Sequence, residues 1–208
     1  KALNWPVRVL LFAGNGLKEG DSMRNADRWD GPIELFGDAS VKDEALIIDA
    51  LFGAGLTRDV SGVATEVLQK AQNSGVPIVA VDIPSGVDGN TGEVRGYAAP
   101  AALTVTFFRK KPGHLILPGY NLCGEIVVRD IGIPPSVLND IAPPTLENGP
   151  DVWSIKLPEL QMTSHKYTRG HLLILGGEKI TGATRLAARA ARRVGAGLVS
   201  IASPPDAL

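Results

Sequence analysis

The sequence predicts an α/β protein: a parallel sheet with a crossover helix, followed by the start of a second α/β unit. Three observations carry that prediction. Two short apolar runs, each ending in an aspartate followed by glycine-rich turns, occur as ALIIDALFGAGLTRD and PIVAVDIPSGVDGNTG. Their aspartates, Asp49 and Asp82, stand 33 residues apart, which suits one strand–helix–strand repeat. After a proline-rich stretch, a second strand–helix–strand pattern begins near His171.

Taken in order, Val7 to Phe12 is a short aliphatic run bounded by Pro6 and by Gly14-Asn15-Gly16, and reads as a buried strand. Leu17 to Trp29 is polar with scattered apolar residues and reads as a surface helix. Ala45 to Ile48 is the next strand. Over Gly62 to Ser74, Val63, Val67 and Ala71 recur at helical spacing, with Ser61 as the expected N-cap and Gly75 as the stop. Val76 to Val81, Leu103 to Phe107 and Glu125 to Val128 complete the strands of the first unit. Such repeats are parallel, so Asp49 and Asp82 are expected on one edge of the sheet, where α/β folds bind ligands. The opening KALNWP reads as the end of a helix.

From Pro134 the pattern is lost and Pro-Pro occurs twice, which suits a linker with one or two helical turns. The expected division is a first domain over 1–135, a linker over 136–164 and a second unit over 165–208. In that unit His171 to Leu175 is a strand, Gly176-Gly177 a turn and Thr181 an N-cap. Ala183 to Val194 is a helix with Ala183, Leu186, Ala187, Ala190, Ala191 and Val194 on one face. Gly195-Ala196-Gly197 ends it, and Leu198 to Ala202 is a further strand.

The 208 residues carry a net charge of −1, which gives no electrostatic footprint for nucleic acid or an anionic membrane. A single cysteine, Cys123, cannot form an internal disulfide and suits a reducing cytoplasm. It reads as a packed thiol. No apolar run reaches the roughly 20 residues of a membrane span, and no basic-then-apolar leader opens the sequence.

The chemistry concentrates at the two strand ends. Gly53 and Gly55 allow backbone N–H groups to turn toward an anion, but Gly53-Ala54-Gly55-Leu56-Thr57-Arg58 lacks the third glycine of the dinucleotide fingerprint. Arg58 reads as a phosphate partner or, more simply, a solvated charge. Ile83-Pro84 forces extended backbone, and Ser85-Gly86 then turns the chain, which holds Asp82 and Ser85 at the sheet edge. A carboxylate, a hydroxyl and carbonyls there form a hard-oxygen set that suits a cation or a substrate hydroxyl. The same residues also suit a plain Asx turn. His114, His165 and His171 are too scattered for a metal site. His165 and Lys166 read as a phosphate contact or, more simply, a solvated linker, and the arginines at 185, 189, 192 and 193 read as a solvated face.

These motifs carry a family resemblance. DALFGAGL, VAVDIPSGVDGNTG, TVTFFRKKPG and IVVRDIGIP together resemble the NAD(P)H-hydrate epimerase domain of the YjeF type, a Rossmann-like fold. HKYTRGHLLILGGEKITGATRLAARAARRVGAGLVSIASP resembles the start of the ADP-dependent NAD(P)H-hydrate dehydratase domain, whose fold is ribokinase-like. The order is that of bifunctional bacterial repair proteins, and the resemblance spans nearly the whole chain.

What the resemblance implies is repair of NAD(P)H hydrated on its nicotinamide ring. The first domain interconverts the R and S hydrates, and the second uses ADP to dehydrate the S form. It implies a potassium ion held by Asp49 and Ser85. It also implies a substrate loop over Gly53, Ala54, Gly55, Leu56, Thr57, Arg58 and Asp59, a substrate contact and catalytic role at Asp82, and a substrate contact at Ala183. The implied partner is the small hydrate substrate, not nucleic acid or membrane, in a cytoplasmic protein that could assemble with its own copies. The family's Asn-Asn-Gly-Gly-Asp loop and the dehydratase's downstream Gly-Asp turn are not in this sequence, so an internal piece of a longer protein is expected. The competing readings are a nucleotide- or protein-binding Rossmann-like module without turnover and a ribokinase-like small-molecule kinase.

Overall fold

The computed structural model describes residues 5–12, 21–36, 44–179 and 181–205. The expected turn at 14–16, the first residues of the helix expected from 17, and most of the opening KALNWP lie outside them. The chain divides into two compact units, Lys1–Thr145 and Leu146–Leu208.

In the first unit, β1 (Val9–Leu11) pairs in parallel with β2 (Ile33–Leu35), with α1 (Asp21–Asp27) between them. A four-stranded parallel sheet follows, in the order β3 (Ile47–Asp49), β4 (Ile78–Val81), β5 (Leu103–Phe107) and β6 (Glu125–Arg129). The register sets Asp49 beside Ala80, Val81 beside Val105, and Phe107 beside Arg129. All four strands run the same way, so their carboxyl ends share one edge. The expected strands all occur, with ends moved by up to two residues. The three-residue β2 carries too short a pattern to be read from sequence.

Helix α2 (Val63–Ser74) joins β3 to β4. Its buried stripe is Ala64, Val67, Leu68 and Ala71, the i, i+3, i+4, i+7 spacing of one helical face. Val63, expected on that face, is exposed. Gly75 ends the helix in the left-handed conformation, as expected. Ser61 is not the N-cap. Gly62 takes that place, no side chain caps the helix, and the Thr65 hydroxyl instead donates to the Val60 carbonyl at 3.1 Å.

Two apolar clusters hold the sheet. Val60, Ala64, Leu68, Ala71, Ile78 and Ala80 pack α2 onto β4, joined by Ala99 and Ala101. Ile83, Val87, Ala98 and Cys123 form the second cluster, beside the carboxyl ends. Cys123 is fully buried, which pushes its thiol up to about 11 despite the Thr104 hydroxyl, so it is a packing residue. No helix connects β4 to β5 or spans most of the β5–β6 link. The first link is a loop pinned by an antiparallel bridge between Val87 and Val94. The second contains a 3₁₀ turn at Pro112–His114 and the single-turn α3 (Gly119–Leu122). A short helix, α4 (Val137–Ile141), closes the unit.

The second unit opens on α5 (Pro150–Trp153) and a 3₁₀ turn at Ser154–Lys156. Then β7 (His171–Leu175) and β8 (Leu198–Ala202) pair in parallel around α6 (Gly182–Val194). Thr181 sits at the N-cap of α6 but makes no capping hydrogen bond. Arg185, Arg189, Arg192 and Arg193 are exposed, as a solvated face requires. Leu186 and Val194, expected on the apolar face, are exposed as well.

Candidate active site at the strand ends

The carboxyl ends of β3 and β4 deliver Asp49 and Asp82 to one edge, and the loop after β4 folds Ser85 against Asp49. The Asp49 carboxylate is 4% exposed and Ser85 is wholly buried. Asp49 accepts the Ser85 N–H at 2.8 Å, the Ser85 hydroxyl at 2.6 Å and the Leu51 N–H at 3.3 Å. The Ser85 Oγ in turn accepts the Phe52 N–H at 2.9 Å and lies 3.3 Å from the Phe52 carbonyl. Gly86 makes this turn: its φ is 98°, and a Cβ there would lie 1.9 Å from the Tyr97 carbonyl oxygen.

Asp82 faces a different set of partners. Its φ of 72° is in the left-handed region, which costs a non-glycine residue on the order of 1 kcal/mol. The side-chain contacts offset that cost. Oδ1 forms an ion pair with Lys111 Nζ and accepts the Thr106 hydroxyl at 3.0 Å, while Oδ2 accepts the Ala54 N–H at 3.4 Å. Burial raises the Asp82 carboxyl, but the Lys111 and Thr106 hydrogen bonds, the Lys111 charge and the Ala54 N–H outweigh it. The net position is below the ordinary value. Lys111 Nζ also donates to Thr106 Oγ1 at 2.8 Å and the Phe107 carbonyl at 3.4 Å, so the ammonium is held at three points.

The glycine loop between the aspartates borders Asp82. A Cβ on Gly53 would lie 3.5 Å from Asp82 Oδ2. Leu51, Phe52, Gly53, Gly55, Leu56, Thr57 and Arg58 line an open cavity of about 370 Å³. Ala54 packs inward against the second apolar cluster, and Asp59 is exposed outside the lining. Ala183 belongs to the second unit, exposed in the first turn of α6.

Three further residues stand at this edge without a role predicted from the sequence: Thr106, Lys111 and His114. His114, scattered from the other histidines in sequence, is fully buried beneath Asp82. Its Nε2 lies 2.8 Å from the Asp82 carbonyl oxygen, and its Nδ1 lies 2.9 Å from the Lys111 amide nitrogen. The available signal was the tail of TVTFFRKKPGH, where a lysine and a histidine three residues apart follow a strand. Asp88, the second aspartate of VDIPSGVDG, forms the Asx turn. It accepts the Asn90 and Thr91 N–H groups at 2.8 and 3.0 Å and pairs with Arg95.

No group of three or more His, Cys, Asp or Glu residues among the described residues could hold a metal ion. Asp49 Oδ1 and the Phe52 carbonyl oxygen nevertheless lie 2.6 and 3.3 Å from Ser85 Oγ, which gathers three oxygens. That set suits a hard, weakly demanding cation and not a transition metal.

Comparison with known proteins gives the family. Residues 2–113 match the family model described as YjeF-related protein N-terminus. The chain is 36% identical over 177 residues to a Coxiella burnetii protein named bifunctional NAD(P)H-hydrate repair enzyme Nnr, covering 84% of this chain and 36% of that one. Proteins of the same name from Moorella thermoacetica and Archaeoglobus fulgidus are 37% and 36% identical over 213 and 224 residues. Each alignment covers 95% of this chain, and 40% or 46% of the relative. The chain thus spans about a third to just under half of these relatives. The family match takes in Asp49, the glycine loop, Asp82, Ser85 and Lys111, and the chain belongs to the family of the YjeF-related protein N-terminus.

Proposed function

We propose that the strand-end site epimerises hydrated NAD(P)H, interconverting its R and S forms, within a longer protein that also dehydrates the S form. The observation that carries this reading is the Asp82–Lys111 pair beside the glycine-loop cavity. The names of the relatives support it over a passive binding module or a small-molecule kinase.

Inverting a carbon that bears a hydroxyl requires a proton acceptor and a proton donor at one place, with charge held nearby. Asp82 is ionised at neutral pH, since its burial is outweighed by the Lys111 and Thr106 hydrogen bonds, the Lys111 charge and the Ala54 N–H, which hold its pKa below the ordinary value. Among the described residues its Oδ2 meets only the Ala54 N–H, at 3.4 Å, which leaves lone pairs for a substrate hydroxyl. Lys111 supplies positive charge and N–H donors at the same oxygen edge. The Gly53–Asp59 loop would wrap the substrate, with backbone N–H groups and Arg58 toward its phosphates. The cavity of about 370 Å³ suits the reacting end of a dinucleotide and not the whole of it.

Asp49, Ser85 and the Phe52 carbonyl would hold a potassium ion, whose chemistry when bound is to add fixed positive charge at the strand ends. Their all-oxygen donor set, with Asp49 and Ser85 buried and Phe52 half-buried, fits it. Residues 165–208 would open the ADP-dependent dehydratase domain, with Ala183 toward the hydrate. No described helix is long and apolar enough to cross a membrane. The hydrate is the expected partner, in the cytoplasm, with no nucleic acid and with self-assembly compatible.

The test is to incubate the full-length protein with purified R hydrate and follow the S form by chromatography. Acceleration over the spontaneous rate, greater in potassium than in sodium, is the expected result. No acceleration overturns the proposal, and equal rates in the two salts remove the potassium assignment.

A further inference from the structure

His114 has no exposed surface and cannot touch a substrate, yet it joins the two charged groups of the site through their backbones. Its ring leaves one arrangement of protons. The Lys111 amide can only donate, so Nδ1 must accept from it. The Asp82 carbonyl can only accept, so Nε2 must carry the hydrogen. The ring is therefore neutral, in the Nε2–H form. Burial keeps it so by pushing its pKa down. The nearby Lys110 and Lys111 charges act in the same direction, against the pull of Asp82.

The clamp acts where the backbone most needs holding. Asp82 is in the left-handed region, its N–H is spent on the Val105 carbonyl at 2.8 Å, and its carbonyl receives His114. On the other side, the His114 N–H donates to the Lys111 carbonyl at 3.0 Å while Lys111 N–H donates back to the ring. Gly113 lets the turn approach this closely: a Cβ there would lie 2.3 Å from the Asp88 carbonyl oxygen.

Resting on the proposed epimerase reading, we propose that His114 is a positioning residue whose neutral ring fixes Asp82 relative to Lys111 for reaction. Removing the Asp82 tie should lower kcat more than it alters KM, because misplacement of a reacting group by about 1 Å costs on the order of 100-fold in rate. Two variants separate the two ends of the clamp. In His114→Gln the side-chain amide N–H can still reach the Asp82 carbonyl, whereas in His114→Asn the side-chain oxygen can still accept from Lys111 but nothing reaches Asp82.

The experiment measures R-to-S interconversion in the full-length protein for wild type and both variants, with rates normalised to folded fraction. The expected result is a loss in kcat on the order of 10- to 100-fold for His114→Asn, with KM within about threefold, and substantial recovery in His114→Gln. Equal kcat per folded molecule in all three overturns the positioning role while the proposed function stands. A wild type that does not accelerate the reaction overturns the function and this inference with it. If either variant fails to fold, nitrogen-15 NMR of the labelled wild-type histidines decides. A neutral Nε2–H ring at pH 6 supports the clamp, and a proton on Nδ1 overturns it.

Discussion

At Ser85 the atoms that stabilise the fold are those of the proposed cation site. The Ser85 hydroxyl is at once donor to the buried Asp49 and acceptor from the amide of the half-buried Phe52. Ser85→Ala should therefore leave a buried carboxylate oxygen and a backbone N–H short of a partner, a cost of about 1–3 kcal/mol. It should also abolish any difference between potassium and sodium in the epimerisation rate. Chemical denaturation with rate measurements in the two salts checks both effects, and an unchanged salt response would show that Ser85 is not a cation ligand. Acid tests a second set of residues. Asp88 is held at about 2 by the Arg95 guanidinium and the Asn90 and Thr91 amides, so its contribution is full above about pH 4 and lost as pH falls toward 2. His114 is held neutral, so the unfolded chain binds a proton there below about pH 6.5 that the folded chain resists, and stability also falls with falling pH in that range. Urea midpoints from pH 7 to 2 should decline in two stages, and Asp88→Asn should flatten only the lower one. At this scale Asp49, Asp82 and Ser85 were legible as strand-end residues because each of the two strand-end motifs is contiguous in sequence. Lys111 and His114 were not, since their role depends on β5 lying beside β4 and on a 3₁₀ turn that returns beneath Asp82.

Helix α2 supplies the packing that holds β3 and β4 in register, and so sets where their aspartates emerge. Leu68 is 3% exposed in the centre of its buried stripe. Leu68→Ala should cost about 2–5 kcal/mol, measured as a fall in the urea midpoint. The exposed Val63→Ala should cost under about 0.5 kcal/mol. The reverse ranking would contradict the assigned face. The sequence pattern placed this helix but chose Val63 for its buried side, because residue hydrophobicity does not say which of two adjacent helical stripes meets the sheet. Ser61 failed as a cap for a related reason: Gly62, with φ of 60°, turns the chain one residue later and removes the capping geometry. The strands of the four-stranded sheet were legible since each is a β-branched run bounded by turn residues. The long β4–β5 and β5–β6 links carry the site's missed residues and have little periodicity to read.

Across the molecule, burial is uneven. Every buried residue among those described lies between Asp49 and Cys123, within the four-stranded sheet and its covering layer. In the second unit no described residue is buried, and Leu173, Leu175, Leu186 and Val194 are exposed. Hydrogen exchange on this 208-residue chain should therefore find the slowest amides in β4 and β5 and much faster exchange in β7, α6 and β8. Uniform protection across both units would contradict the placement of the core. The second α/β pattern was legible from its alternation of strand, glycine turn and helix, whereas its exposure was not, because an apolar stripe does not reveal what covers it. The central proposal concerns the first unit: that the strand-end carboxylate Asp82, paired with Lys111, epimerises the NAD(P)H hydrates. The most direct measurement is the R-to-S interconversion rate of full-length wild type against Asp82→Asn, which keeps the shape and removes the charge. A fall of about 100-fold or more in kcat, with the fold intact by circular dichroism, is the predicted result. A folded Asp82→Asn protein that interconverts the hydrates at the wild-type rate would contradict it.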